Sequence, residues 1–271
     1  MKKLRSLIAL ISLIKLFSFG KKEPDYSKVL PNVVKVTSEL YYDQSEISNL
    51  NWIEYLNWHA RHNGRTSKEY KEVMPDTGVW EGHGCCDSSM IKQYLRHPAW
   101  RDYPVVGITQ IQAMNYCEWR TERVIQNLSE KNRLKKAPAK FVYRLPTLKE
   151  WKMMYEDLAD LPVTLNEGEY KRNCDGCYRY NVRKRAVDNE GYVMKTEDYQ
   201  ITAPAFSYWP NKYGVYNAVG NVSEWVQEEN MHIGGSWNTY EDEDPSVPQK
   251  LDSASAKVGF RCVCEILSDE A

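Results

Sequence analysis

Tyr213-Gly214-Val215-Tyr216-Asn217-Ala218-Val219-Gly220-Asn221-Val222-Ser223-Glu224-Trp225 is the stretch on which the reading of the fold turns. Glycine and asparagine interrupt it, and these residues serve turns better than long elements. The same holds from 166 to 244, where Gly, Pro, Asn and Asp leave room only for short elements. The second half of the chain is therefore expected to be loop-dominated, and no internal repeat organises it.

Upstream the pattern is more regular. Phe141-Val142-Tyr143-Arg144 reads as a strand, Pro146-Thr147 as a turn, and 148–158 as a helix with Trp151 and Met154 facing inward. Val105-Val106-Gly107-Ile108 reads as a short strand. Thr109 then caps a helix carrying Ile111, Met114, Cys117 and Trp119 at helical spacing. Nearer the start, 35–42 reads as a strand. A helix over 43–62 follows, capped by Ser45, with Ile47, Leu50, Ile53, Tyr55, Leu56 and Trp58 as its apolar face. Residues 76–89 read as loop. The basic residues Lys131, Arg133, Lys135, Lys136 and Lys140 read as a solvated connection.

With 271 residues, 42% of them apolar and 27% charged, the chain can bury a substantial core and is not of the disordered class. Lys plus Arg number 36 against 37 Asp plus Glu, a balance that excludes a basic-groove nucleic-acid binder. The 19 Tyr and 9 Trp outnumber 5 Phe, which suits a loop-rich fold with a hydrogen-bonded interior.

Residues 1–19 read as an export signal or an N-terminal anchor: Lys2, Lys3 and Arg5 precede an apolar run. That run falls short of the roughly 20 residues of a spanning helix and is broken by Lys15. Leu16-Phe17-Ser18-Phe19-Gly20 resembles a lipoprotein cleavage box with Phe19 in place of the lipidated cysteine, so no lipid is expected there. Residues 20–33 form a polar linker, and 34–267 the folded domain. Membrane contact is expected only through the N-terminal segment, and the location is the periplasm or cell envelope of a bacterium. Export makes disulfides chemically reasonable for the cysteines at 85, 86, 117, 174, 177, 262 and 264.

Five stretches in order carry a family signature: Tyr103 to Gly107 with Tyr116-Cys117-Glu118-Trp119; Tyr143-Arg144-Leu145-Pro146-Thr147-Leu148-Lys149-Glu150-Trp151; the stretch quoted first; Gly234-Gly235-Ser236-Trp237; and Val258-Gly259-Phe260-Arg261-Cys262. Together they resemble the formylglycine-generating-enzyme, or sulfatase-modifying-factor, domain. The resemblance implies a single loop-rich α+β domain related to the C-type lectin fold. Pro75-Asp76-Thr77-Gly78-Val79-Trp80 and Arg96-His97-Pro98-Ala99-Trp100 are similar to gliding-motility and type IX secretion lipoproteins of Bacteroidetes, which use this domain without known enzyme activity.

The family's oxidases hold copper with two cysteines just beyond the Gly-Gly-Ser motif. Here Thr239 stands at the first position and Asp244 at or near the second, and no cysteine lies between Cys177 and Cys262. Hydroxyl and carboxylate do not replace thiolate for Cu(I), so copper is not expected, and Ser236 reads as a turn residue. The resemblance implies a disulfide between Cys117 and Cys262. Cys174 and Cys177, with two residues between them, read as a local disulfide, and the pairing of Cys85, Cys86 and Cys264 stays open.

The resemblance further implies structural calcium on the Asn217 amide oxygen, the Gly220 and Val222 carbonyls and the Glu224 carboxylate, hard donors that suit this ion. A second calcium set falls on Asn181, Val182, Glu197 and Tyr199. His59 with His62, and the run Glu241-Asp242-Glu243-Asp244, read as packed and solvated groups and not as metal sites. The function implied is an exported, non-catalytic component of a cell-envelope complex with protein partners. The alternatives are a copper-dependent formylglycine-generating oxidase and a lectin-like glycan binder.

Overall fold

The computed structural model describes residues 24–83, 87–156, 158–159, 164–165, 177–183, 186–187, 193–194 and 201–268. The readings of 1–19, of Cys85 and Cys86, of the Cys174–Cys177 bridge, and of Glu197 and Tyr199 lie outside the described residues or side chains.

Strand β1 (Val33–Lys35) turns back into β2 (Leu40–Asp43), with Val34 opposite Tyr42. The single strand expected over 35–42 is thus a hairpin. Thr37 closes it, its hydroxyl accepting the backbone N–H groups of Glu39 and Leu40. Helix α1 (Asn49–His62) starts later than expected because Asp43, Ser45 and Glu46 are buried and bonded in the interior. Ser48, not Ser45, is its cap: the Ser48 hydroxyl accepts from Asn51 N–H while the Asn51 side chain accepts from Ser48 N–H. This start sets the phase, so Trp52, Tyr55 and Leu56 are buried and Leu50 is 41% exposed.

Part of the stretch expected as loop is helical. After α2 (Lys68–Glu72), a 3₁₀ turn covers Thr77–Trp80 and α3 spans Asp87–Gln93. Residues 105–108 form no strand; they are a buried connection whose Ile108 carbonyl accepts the Trp225 indole N–H at 3.1 Å. Thr109 caps α4 (Gln110–Glu130) as expected, with Gln112 completing the capping box. Its buried face, however, is Ala113, Tyr116, Cys117, Arg120, Val124 and Leu128, and Ile111 is 68% exposed. An inward arginine fixes that face, because Arg120 pairs with buried Asp43.

Strand β3 (Phe141–Arg144) and helix α5 (Leu148–Glu156), with Trp151 and Met154 buried, match the expectation. Two short antiparallel pairs follow, β4 (Thr164–Leu165) with β5 (Cys177–Tyr178) and β6 (Ala186–Val187) with β7 (Val193–Met194). The remaining strands are β8 (Ser223–Trp225), β9 (Met231–Ile233), β10 (Gln249–Lys250), β11 (Val258–Gly259) and β12 (Val263–Ile266). One sheet runs β1-β2-β12-β3, so the last strand pairs with a strand from each half of the chain. The other runs β10-β9-β8-β11, with β8 and β11 parallel. Phe260-Arg261-Cys262 links the two sheets, and this link carries the centre of the core. The fold is α+β and loop-rich, as expected.

Tyrosine and tryptophan explain how so much loop is buried. Trp52 stacks on Tyr116 at 5.4 Å and meets Phe260 edge-on at 5.9 Å. Its indole N–H reaches the Val73 carbonyl, Trp237 does the same to Ala256, and the Tyr94 hydroxyl donates to Pro104. Each ring supplies apolar area and also satisfies a loop carbonyl that would otherwise be buried unpaired. Among the described residues, no helix is long and apolar enough to cross a membrane.

Candidate functional site

The quoted stretch wraps around one guanidinium. Arg261, fully buried, donates from Nε to Glu224 Oε1 at 2.7 Å, from Nη2 to the Tyr216 and Asn217 carbonyls at 2.9 and 3.1 Å, and from Nη1 to the Asp43 carbonyl at 3.3 Å. To curl this tightly the chain enters the left-handed region at Asn217 (φ 48°), Gly220 (φ 76°) and Asn221 (φ 58°). Asparagine and glycine are the residues that tolerate it. Gly220 is further constrained: a β-carbon there would sit 2.7 Å from the Asn181 carbonyl oxygen.

Glu46 completes the cluster from the other half of the chain. Its Oε2 accepts from Asn217 Nδ2 at 3.1 Å and its Oε1 from Asn221 Nδ2 at 2.9 Å. Burial pushes its carboxyl up to about 7, with Glu224 adding to the rise and Arg261 opposing it. Glu224 is also raised by burial, against the pull of Arg261. Asp43 has its own partner, for Arg120 grips it with both terminal nitrogens at 2.6 and 2.8 Å. Two carboxylates, Glu46 and Glu224, therefore share one arginine.

Two of the donors assigned to calcium belong to this cluster. Asn217 Oδ1 and Glu224 Oε2 are buried and have no hydrogen-bond partner among the described residues, and they are the two side-chain oxygens of the expected set. Hard oxygens left unsatisfied in a buried loop fit calcium chemically. Of the second expected set only Asn181 and Val182 fall among the described residues; Asn181 Nδ2 donates to Ile201 O and Asn221 Oδ1, and Val182 is buried.

Beside this loop lies a cleft of about 260 Å³, lined by Tyr155, Val219, Gly235, Thr239 and the run from Glu241 to Asp244. A bond from Gly220 N–H to the Gly234 carbonyl joins the two regions. Both positions that the resemblance assigned to copper ligands, Thr239 and Asp244, line this cleft, and no cysteine does among the described residues. The Thr239 hydroxyl accepts from Ser236 N–H at 2.9 Å and lies 3.2 Å from the Ser236 hydroxyl. The Asp244 carboxylate accepts from Ser246 N–H, and hydrogen bonding by the Ser246 side chain and then its N–H holds it below its ordinary range. Both side chains shape turns. The cleft can accept hydrogen bonds and attract cationic groups, but its donor set does not fit a soft copper ion.

Cys117, Cys262 and Cys264 are buried in the main core, not at the cleft. The Cys117 and Cys262 sulfurs approach to 3.4 Å, so the expected pair is adjacent, yet both are free thiols in this structure. Burial pushes the Cys117 thiol well up. His62, exposed, stacks on Trp58 at 4.3 Å, and His59, half-buried, meets Tyr55 edge-on at 4.7 Å. No cluster of three or more His, Cys, Asp or Glu that could hold a metal occurs among the described residues.

The sequence reading missed Asp43, Glu46 and Arg120. The sequence offers little signal for the two acids, which lie in the mostly polar segment 43–46; Arg120 sits on the Tyr116-Cys117 face of its helix, where a buried cation could have been read.

A loop-rich α+β fold whose Asn-Gly-Asn turn encircles the arginine of the Gly-Phe-Arg-Cys segment defines a family. Residues 27–266 match the sulfatase-modifying factor enzyme 1-like domain, and the chain belongs to that family. The mouse (Mus musculus) formylglycine-generating enzyme is 29% identical over 143 residues, a match covering 49% of this chain and 31% of that enzyme. The chain thus spans less than a third of that relative's length. Among solved structures, CarF aligns with a TM-score of 0.46 and 17% identity over 84% of this chain and 87% of that one. Variable protein 1 of Treponema denticola aligns at 0.44 and 16% identity over 83% and 84%.

Proposed function

We propose that this chain is an exported, non-catalytic member of its family that acts as a structural or protein-interaction component of a bacterial cell-envelope assembly, of the gliding-motility or type IX secretion kind. One observation carries the reading: the cleft where the oxidases would need two thiolates presents the Thr239 hydroxyl and the Asp244 carboxylate, each engaged in holding a turn. A hydroxyl and a carboxylate are hard donors and do not replace the thiolates that a soft Cu(I) ion requires.

The same proposal includes structural calcium. Asn217 Oδ1, Glu224 Oε2 and the carbonyls of Gly220 and Val222 would hold it, and the ion would supply positive charge and fix a loop that has little regular structure. The charge count supports this. With Glu46 ionised, Arg261, Glu224 and Glu46 together carry one excess negative charge in a buried site. Without a divalent cation that excess is relieved by a proton on Glu46, whose affinity for it is raised.

Crosslinking followed by gentle solubilisation of the native envelope tests the assembly role. Recovery in a complex with envelope proteins is expected, and recovery as a free monomer overturns it. The catalytic question has a separate assay. A Cys-containing peptide incubated with the protein and Cu(I) should remain unconverted, whereas turnover abolished by Thr239→Ala or Ser236→Ala would refute the non-catalytic reading.

A further inference from the structure

A second recess, unrelated to the cleft, lies where the chain enters the fold. It is a groove of about 540 Å³ between the segment after Pro24 and the last turns of α4. Four cations line it, Lys28, Arg123, Lys131 and Arg133, and no acid does. Its floor is apolar, with Leu30 and Leu128 buried. Read from sequence, Lys131 and Arg133 belong to a solvated connection; folding adds Lys28 from about a hundred residues upstream and Arg123 from about two helical turns back.

The helix end accounts for part of this charge, since cations near a C-terminus complement its partial negative charge. It does not account for Lys28, which comes from a separate segment. Neither Lys28 nor Lys131 makes an ion pair among the described residues, and Arg133 donates only to the Lys28 carbonyl, at 3.1 Å. Arg123 pairs with Glu122 at 3.6 Å and lies over the Trp58 ring, so Lys28, Lys131 and Arg133 are the three cations left without a carboxylate partner among the described residues, and they repel one another until an anion enters. The apolar floor favours an anion attached to a greasy body over a bare one.

The position of the groove selects the body. Lys28 is a few residues from Pro24, and upstream of Pro24 the sequence carries the apolar run from Leu7 to Ile14 together with Lys21 and Lys22. Charge complementarity points to an anionic bilayer surface, and the anchor reading of residues 1–19 would set this face beside it. We infer that the groove formed by Lys28, Arg123, Lys131 and Arg133 docks on an anionic membrane, seating a phospholipid headgroup between the four cations. This is independent of the catalytic reading, since no residue of the cleft takes part.

Partitioning of the full chain onto vesicles tests it, with phosphatidylcholine alone compared with phosphatidylcholine plus phosphatidylglycerol. Each cation near an anionic surface strengthens binding about fivefold at low salt. The double variant Lys28→Gln/Lys131→Gln should therefore lose about 25-fold of the preference for phosphatidylglycerol vesicles. Both side chains are exposed, so the fold should persist, as an unchanged near-UV circular dichroism spectrum would verify. Lys71→Gln/Lys92→Gln removes the same charge from exposed sites outside the groove and should keep most of the preference. Equal losses in the two variants would reduce the effect to net charge and overturn the groove. Equal binding of the native chain to both vesicle types overturns it too. If that came with inorganic phosphate binding that Lys28→Gln/Lys131→Gln abolishes, the groove would belong to a soluble anion.

Discussion

In the metal-free protein, Glu46 should contribute a stability that falls as pH rises from 4.5 to about 7. Its carboxyl is buried, accepts from two asparagine amides, and is raised from an ordinary 4.5 to about 7. The folded state therefore keeps a proton that the unfolded chain has released. The contribution is fully present below pH 4.5, declines between 4.5 and about 7, and is gone above. At about 1.4 kcal/mol per tenfold in proton affinity, the window is worth about 3 kcal/mol. Glu46→Gln imitates the protonated acid and removes the dependence. Relative to the native chain, the variant should gain about 3 kcal/mol between pH 4.5 and pH 7.5, which urea unfolding at both values would read. For a domain of this size that is a shift of about 6–12 °C in Tm. His232 runs the other way and must be separated: burial lowers it from 6.5 to about 4. Its contribution is present above pH 6.5 and lost as pH falls through about 4. The native profile should look flat because the two oppose, and Glu46→Gln should expose the His232 slope. A stability difference between Glu46→Gln and the native chain that stays constant over this range would refute the assignment of a raised carboxyl to Glu46.

Calcium at a hundred times its dissociation constant should stabilise the fold by about 2.7 kcal/mol, seen as a Tm drop on adding EDTA. Asn217→Ala should abolish that response, and an EDTA-insensitive native Tm would remove calcium from the proposal. The Cys117 and Cys262 thiols should form a disulfide under mild oxidant, detected as a mobility shift on non-reducing gels. Closing a loop of 145 residues adds at most about 5 kcal/mol. Gly220→Ala should cost at least about 1–3 kcal/mol in urea unfolding, because it combines a left-handed backbone with a 2.7 Å contact to the Asn181 carbonyl. A neutral effect would mean the loop is free to rearrange.

Much of the chain as far as α5 was readable because its signals are local. Thr109 with Gln112 is a cap written within four residues, and Phe141 to Arg144 alternates over its own length. The errors arose where burial came from afar. The start of α1 was misplaced because Asp43 and Glu46 look like acids of a helical first turn, and only contact with Arg120, Asn217 and Asn221 makes them interior residues. The face of α4 was misjudged for the same reason. Ile111 is the better hydrophobe, but Arg120 has the partner.

The sequence by itself determined the family, the loop-rich character and the loss of sulfur at Thr239 and Asp244, because these depend on residue identity and order along the chain. Tertiary structure alone decided that one buried arginine organises the Asn217 to Glu224 turn, that Glu46 joins it from 171 residues away, and that Lys28 meets Lys131 in one groove. The physical reason is the range of the forces involved. Caps and periodicities act over a few residues, whereas the pairing of buried charges is set by closeness in space, which the chain attains only once both sheets have closed around Phe260-Arg261-Cys262.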